Sequence, residues 1–303
     1  MQTLGAIDIG SNAIRLLIMN VENFPHEPVF KKAAFIRVPI RLGEDVFVHG
    51  RVGEKKALRL EEAIAGFGHL MKAFGVQRYL AYATSAMREA RNGQEVTDEI
   101  FRRTGVRIKI VHGLREAETA FACGAADLFG PDKTYLYVDV GGGSTEIIVY
   151  ADSRIVEARS FTLGTVRTLN RGMDEEEVKR MKKWLKGVAV RHTPSVIIGS
   201  GGNINRVQKL LNKKEKENIS YTELKVLYDY VRSYSYEDRI HVLKLNTYRA
   251  DVIVPAMRIF LAVCKAAKID QIAVPKLGLA DGIIHELHSN LRTGQGEQGE
   301  TLG

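Results

Sequence analysis

The chain has 303 residues, enough for about two domains, and its 45% hydrophobic and 26% charged content excludes a disordered, fibrous or membrane-embedded class. Lysine and arginine outnumber aspartate and glutamate by 44 to 36, and the resulting charge of +8 suits polyanions but serves equally as a plain cationic surface. No apolar run reaches about 18 residues and the first strand begins almost at Met1, so neither a membrane span nor a signal peptide is expected, and a cytoplasmic location follows. Cys123 and Cys264 are the only cysteines, both in apolar helical surroundings, and are expected to be reduced core residues.

In chain order, residues 5–7 predict a strand, Asp8-Ile9-Gly10-Ser11-Asn12 a tight turn, and residues 14–19 a second strand. A further strand is expected at 35–40 and a loop at 43–45. Apolar residues at Ala57, Leu60, Ile64, Phe67, Leu70, Met71 and Phe74 give a helix over 54–74, closed by Gly75. A strand at 78–83 runs into a segment holding Thr84 and Arg88. After another helix and a strand at 107–111, Gly113-Leu114-Arg115-Glu116-Ala117-Glu118 opens a helix that includes Ala120, Phe121 and Ala125. A turn at Gly130-Pro131-Asp132 suggests that a first lobe covers 1–126.

The second lobe, expected over 127–292, repeats the opening theme: a strand at 135–138, the turn Asp139-Val140-Gly141-Gly142-Gly143-Ser144-Thr145, and a strand at 147–150. A charged helix follows from Asp174, then a strand at 195–198 and the junction Gly199-Ser200-Gly201-Gly202-Asn203 before another helix. The remainder is mostly helical and carries Arg249-Ala250-Asp251 and Gly278-Leu279-Ala280-Asp281-Gly282. Residues 293–303, mainly Gly, Gln and Glu, are expected to be a disordered tail.

Asp139 lies 131 residues beyond Asp8, about one domain length, so the two turns point to two similar lobes. Glycine permits positive φ and leaves no Cβ between backbone N–H groups and a ligand, which suits phosphate. The aspartate closing each first strand can hold a hard cation or a water molecule. Either turn alone is equally an ordinary hairpin with Asp and Gly chosen for turn chemistry. No G-x-x-x-x-G-K-[ST] occurs, and the turns lead into strands and not helices, which disfavours a Walker loop and a dinucleotide site.

The series Asp8-Ile-Gly-Ser-Asn12, Thr84 with Arg88, Gly113-x-x-Glu116-Ala117, Asp139-x-Gly-Gly-Gly-Ser-Thr-Glu146, Gly199-Ser-Gly-Gly202 and Arg249-Ala-Asp251 resembles the exopolyphosphatase/guanosine pentaphosphate phosphatase family in order and spacing. The resemblance runs from the first strand to about residue 288. It implies an α/β protein of two actin-like (ribonuclease H-like) lobes with the active site in a cleft between them. It also implies Mg²⁺-dependent removal of terminal phosphate from inorganic polyphosphate or guanosine pentaphosphate.

Such a reaction needs a positioned water and neutralised charge on the transferred phosphoryl group. Glu116 stands at the second glutamate of the family's Gly-x-Glu-Glu-Ala pattern, which is catalytic there; otherwise it is a first-turn glutamate favoured by the helix dipole. By the same resemblance Asp139 is the expected Mg²⁺ ligand, with Asp8 and Glu146 as further metal candidates. Backbone N–H groups of Gly10, Ser11 and Asn12 and of Gly141, Gly142, Gly143, Ser144 and Thr145 would cradle phosphates. Thr84, Arg88 and Arg15 would meet the γ-phosphate side, and Gly201 and Gly202 a nucleotide or distal phosphates.

The chain departs from the family at Arg115, in place of the first glutamate, at His112, where serine is common, and at Ala280, where the last glycine motif often has arginine. Arg115 either acts on Glu116 or points to solvent, and His112 reads as a loop hydrogen-bonding residue. Lys209, Lys213, Lys214 and Lys216 could guide a polymer, but Glu215 and Glu217 intersperse them and a solvated helix end is the simpler reading. Family members processive on long chains carry additional C-terminal domains, so short substrates are favoured. A homodimer is a reasonable expectation; a membrane or sequence-specific nucleic-acid partner is not. The alternatives are a kinase or ATPase of the same superfamily and a nucleotide- or alarmone-binding module without turnover.

Overall fold

The computed structural model of the chain describes residues 1–23, 27–121, 133–152, 154–275 and 277–302. The chain folds as two units, Met1–Cys123 with Gly278–Gly303, and Gly124–Leu277. Strand β1 (Gln2–Ile9), whose last six residues are buried, pairs antiparallel with β2 (Ile14–Asn23), which pairs antiparallel with β3 (Pro28–Val38). The segment expected as a loop at 43–45 is instead inside helix α1 (Leu42–His49). The Gly-Glu-Asp triplet carries turn chemistry, but burial of Leu42, Val46 and Phe47 on one face, two acidic residues in the first turn and a left-handed Gly50 at the end favour the helix.

Helix α2 (Glu54–Ala73) buries Leu60, Ile64, Phe67 and Met71, as its rhythm predicts, and Met71 Sδ lies 3.0 Å from the position a Cβ on Gly5 of β1 would take. Strand β4 (Arg78–Ala83), short helices α3 (Ser85–Glu89) and α4 (Gly93–Thr104), β5 (Lys109–Ile110) and α5 (Gly113–Phe121) follow. The sheet order is β3-β2-β1-β4-β5, with β4 parallel to β1 and β5 parallel to β4. The C-terminal ends of these three parallel strands therefore share one edge, where ligands bind in open α/β sheets. The first turn, Thr84 and the start of α5 all leave from that edge.

The second unit contains β6 (Tyr135–Val140), β7 (Thr145–Ala151), β8 (Arg154–Phe161), α6 (Thr165–Arg171), α7 (Glu175–His192), β9 (Val196–Ser200) and α8 (Gly202–Leu210). It continues through β10 (Ile219–Ser220), α9 (Tyr221–Ser233), α10 (Tyr236–His241), α11 (Thr247–Ala250), α12 (Ile253–Ala267) and β11 (Gln271–Ala273). Its sheet runs β10-β11-β9-β6-β7-β8. β6, β7 and β8 are antiparallel neighbours, while β9 is parallel to β6 and β11 parallel to β9. Strand for strand and direction for direction this repeats the first sheet, with β10 added at the edge. The two-lobed α/β reading is thus what the topology shows. Strand β8, half polar and with only Phe161 buried, lies at an edge and has no long apolar run to announce it.

The core of this unit joins Leu136, Val138 and Ile197 of the sheet to Met181 and Leu185 of α7 and Met257, Phe260 and Val263 of α12. Cys264 of α12 is buried, and burial pushes its thiol up to about 12. Cys123, Ala125, the turn at 130–132 and the expected boundary at 126/127 lie outside the described residues.

Helix α13 (Leu279–Thr293), which the sequence reading assigned to the second lobe, belongs to the first unit. It buries Ile283, Ile284 and Leu287 and crosses α5 so closely that a Cβ on Gly282 would lie 1.9 Å from the Thr119 carbonyl oxygen. Sequence order favoured continuity; burial of an apolar face decided otherwise. The tail expected to be disordered also has partners: Glu300 exchanges backbone hydrogen bonds with Tyr79 of β4, and Arg107 and Lys109 pair with Glu300 and Glu297.

Candidate active site

In the first unit the turn after β1 is closed by the Gly10 N–H donating to the Ala13 carbonyl at 3.1 Å. Asp8 and Arg15 face each other across the β1–β2 ladder, and the Arg15 guanidinium pairs with the Asp8 carboxylate. Ser11, buried, has its Oγ 2.8 Å from Ser85 Oγ, and the Thr84 N–H donates to the Ile9 carbonyl at 3.1 Å. The first turn and the start of α3 are thereby tied together.

Arg88 extends from α3, and its Nη1 donates to the Val111 carbonyl at 2.8 Å, just ahead of α5. The same nitrogen is 3.9 Å from Glu116 Oε2. Glu116 sits in the first turn of α5, with its side chain 15% exposed, and its N–H donates to the His112 carbonyl at 3.0 Å. Arg115 turns the other way, its Nη2 donating to Glu286 Oε1 of α13 at 2.6 Å, while Thr119 donates to the other oxygen of the same carboxylate at 3.0 Å. Of the two readings of Arg115, neither action on Glu116 nor idle exposure describes it: it helps fasten α13 to α5. His112 is exposed, and its carbonyl oxygen makes the helix-entry bond.

The turn after β6 is the counterpart, closed by the Gly141 N–H donating to the Ser144 carbonyl at 2.9 Å. Gly10, Ala13 and Arg15 thus correspond to Gly141, Ser144 and Glu146, each 131 residues on. Across the β6–β7 ladder Asp139 faces Glu146, where Asp8 faces Arg15. Directly opposed residues of an antiparallel pair share a face, and like charges there repel. Glu146, 1% exposed, accepts from Ser160 Oγ at 2.8 Å, and Asp139 Oδ2 accepts from Ser200 Oγ at 3.3 Å.

Helix α6 supports this turn from behind. The N–H groups of Thr165 and Val166 donate to the Gly141 and Gly142 carbonyls at 3.0 and 2.8 Å, and Arg167 Nε donates to the Gly143 carbonyl at 2.8 Å. The approach demands glycine at 164, since a Cβ there would lie 2.3 Å from the Gly142 carbonyl oxygen and the Gly143 carbonyl carbon. Thr145 is fully buried, and its hydroxyl is spent on the Leu163 carbonyl at 2.6 Å. At the β9–α8 junction Gly201 has φ +100°, and the Gly202 carbonyl accepts from Arg249.

The structure therefore gathers Asp8, Gly10, Ser11, Arg15, Thr84, Arg88 and Glu116 at one sheet edge of the first unit. Asp139, Gly141, Gly142, Gly143, Ser144, Glu146, Gly201 and Gly202 gather at the corresponding edge of the second. Sequence reasoning missed Ser85, Arg167 and Ser200, which brace these loops. Ser200 had a signal, a strand-end serine before paired glycines; Arg167 had none, because it acts on a backbone carbonyl.

Among the described residues no group of three or more His, Cys, Asp or Glu side chains comes together, which disfavours a site made wholly of protein ligands. Mg²⁺ keeps several waters and takes only one or two carboxylates, and the opposed Asp139 and Glu146 fit that demand.

Residues 26–291 match the Ppx/GppA phosphatase family. The chain is 23% identical over 301 residues to exopolyphosphatase 1 of Mycobacterium leprae, covering 93% of this chain and 88% of the relative. It is 23% identical to the guanosine-5'-triphosphate,3'-diphosphate pyrophosphatase of Vibrio parahaemolyticus, with 95% of this chain and 59% of that longer protein covered. The crystal structure of the Aquifex aeolicus Ppx/GppA family member superposes with a TM-score of 0.78 at 25% identity, over 97% of this chain and 99% of that one. An exopolyphosphatase from Cytophaga hutchinsonii shares the fold, with a TM-score of 0.82 at 23% identity, over 99% and 100% of the two chains.

Proposed function

The chain belongs to the Ppx/GppA phosphatase family, and we propose on that ground that it hydrolyses the terminal phosphoanhydride of inorganic polyphosphate, short chains favoured, or of guanosine pentaphosphate. The observation that carries the assignment of roles is the placement of Glu116 beside Arg88, with Arg88 fixed to the Val111 carbonyl. A carboxylate in a helix first turn next to an anchored guanidinium offers a base for water and a donor for phosphate oxygens at one place.

In this reading Glu116 accepts a proton from the attacking water, and Arg88 stabilises charge on the phosphoryl group in flight. Asp139, with Glu146 opposite it, would hold Mg²⁺, which would supply positive charge to neutralise phosphate oxygens. Asp8, already paired with Arg15, orients that guanidinium toward the first turn. The Gly10 and Gly141 N–H groups are taken by the Ala13 and Ser144 carbonyls, so the N–H groups of Ser11 and Asn12 and of Gly142, Gly143 and Ser144 are the ones that hold the remaining phosphates. The attachment of Arg115 to Glu286 leaves Glu116 to this role and argues against a module without turnover.

No helix among the described residues is long and apolar enough to cross a membrane. We place the enzyme in the cytoplasm, as a homodimer. Phosphate release measured side by side from tripolyphosphate, long polyphosphate, guanosine pentaphosphate and ATP tests the assignment. Release from one of the first three, lost in Glu116→Gln, is the expected result; turnover of ATP alone would overturn it in favour of an ATPase.

A further inference from the structure

The second unit holds a cavity of about 440 Å³ whose lining includes none of the residues assigned above; Met173, Tyr228, Arg232, Val254, Pro255 and Arg258 form most of its wall. Its two kinds of wall ask for two kinds of group. Met173, Tyr228, Val254 and Pro255 are half-buried and give an apolar and aromatic surface, whereas Arg232 and Arg258 are exposed guanidiniums at its margin. The Arg232 guanidinium carbon lies 6.0 Å from the Tyr228 ring centroid, within cation–π range. Arg258 donates to Glu175 Oε1 at 2.6 Å, but both side chains are about half exposed or more, so the pair is weak and exchangeable for a stronger anion.

Val254 and Pro255 belong to the first turn of α12, whose cap residue, Val252, makes no side-chain hydrogen bond to the helix. The helix thus adds its positive end to the two arginines. A bare phosphate would use the cations and waste the apolar wall; an apolar ligand would bury the wall and leave the cations idle. A planar base bearing phosphates uses both, and the volume lies in the usual range for small-molecule pockets. We propose that this cavity is a second ligand site for a purine nucleoside diphosphate, with the base against Tyr228 and Arg232 and the phosphates on Arg258 and the start of α12.

The site has a route to the glycine turn. Thr168 also lines the cavity, and on α6 it directly follows Thr165, Val166 and Arg167, which hold the Gly141–Gly143 carbonyls. Occupancy therefore stiffens the helix that supports the turn, and ligand binding alters phosphate release; this last step alone rests on the proposed function.

Titration calorimetry with ADP, GDP and tripolyphosphate on the full chain carrying Arg88→Ala, which weakens anion binding at the candidate active site, tests the proposal. One diphosphate per chain is expected to bind in that background, about tenfold or more weaker after Arg232→Ala or Arg258→Ala, with Tyr228→Phe retaining affinity and Tyr228→Ala losing it. Both arginines are exposed, so unchanged thermal unfolding will confirm that these variants fold. Diphosphate affinity indifferent to both arginines would overturn the proposal, as would tripolyphosphate binding at the cavity as tightly as the nucleotides. Because binding is read directly, failure of the hydrolase assignment leaves this result interpretable.

Discussion

At the residue scale, the contrast between Arg15 and Glu146 separates the two turns chemically. Equivalent ladder positions carry a cation opposite Asp8 and a second carboxylate opposite Asp139, so the proposed cation is better matched electrostatically to the second. Asp139→Asn is therefore expected to raise the Mg²⁺ concentration giving half-maximal phosphate release, and Glu146→Gln to do so less, since Glu146 is fully buried and already accepts from Ser160. Equal Mg²⁺ requirements in wild type and Asp139→Asn would remove Asp139 from the metal site. Glu116→Gln is expected to lower turnover by about 10²–10⁴ with KM within a few fold, because the amide keeps size but not basicity. Initial-rate kinetics on tripolyphosphate check this, and turnover within threefold of wild type would eliminate Glu116 as the base.

At the element scale, the supports of the site are helix ends and close approaches. Gly164→Ala forces a methyl group into the Gly142–Gly143 backbone, and overpacking of this kind costs about 1–3 kcal/mol. Denaturant unfolding should show that loss, with phosphate release falling as the turn shifts. A second element offers a pH test. Glu223 closes the capping box of α9 with Ser220 and pairs with Lys213 at 2.8 Å, and these contacts hold its carboxyl down at about 2, against an ordinary 4.5. A depressed carboxyl stabilises the fold above its unfolded pKa, and that contribution fades as pH falls through 4.5 toward 2. Glu223→Gln should flatten the stability-versus-pH curve in that window; an identical curve would show that the capping box carries none of it.

At the scale of the whole molecule, the charge of +8 invites the idea of an extended polymer groove. The structure works against one at Lys213, whose ammonium is committed to Glu223, and Glu215 and Glu217 intersperse the lysines that follow. Lys214→Ala with Lys216→Ala is accordingly expected to leave the salt dependence of long-polyphosphate binding unchanged, whereas Arg88→Ala should weaken binding at every chain length. A flattened slope in the lysine variant would restore the groove.

The sequence by itself determined the repeated Asp-Gly turns, the helix over 54–74, the apolar strands that carry the turns and the glutamate at the start of α5. Each of these is local, written in periodicity, glycine and residue spacing, and such signals survive without knowledge of neighbours. Only the tertiary structure decided that α13 returns to the first unit, that residues 42–49 form a helix and that the tail pairs with Tyr79. It also decided that Arg115 serves Glu286, that Arg15 serves Asp8 and that α6 holds the second turn. These depend on partners more than 100 residues away, on cross-strand register, or on backbone carbonyls that have no letter in the sequence. Free energy there comes from burial and pairing, which exist only once the chain has closed on itself.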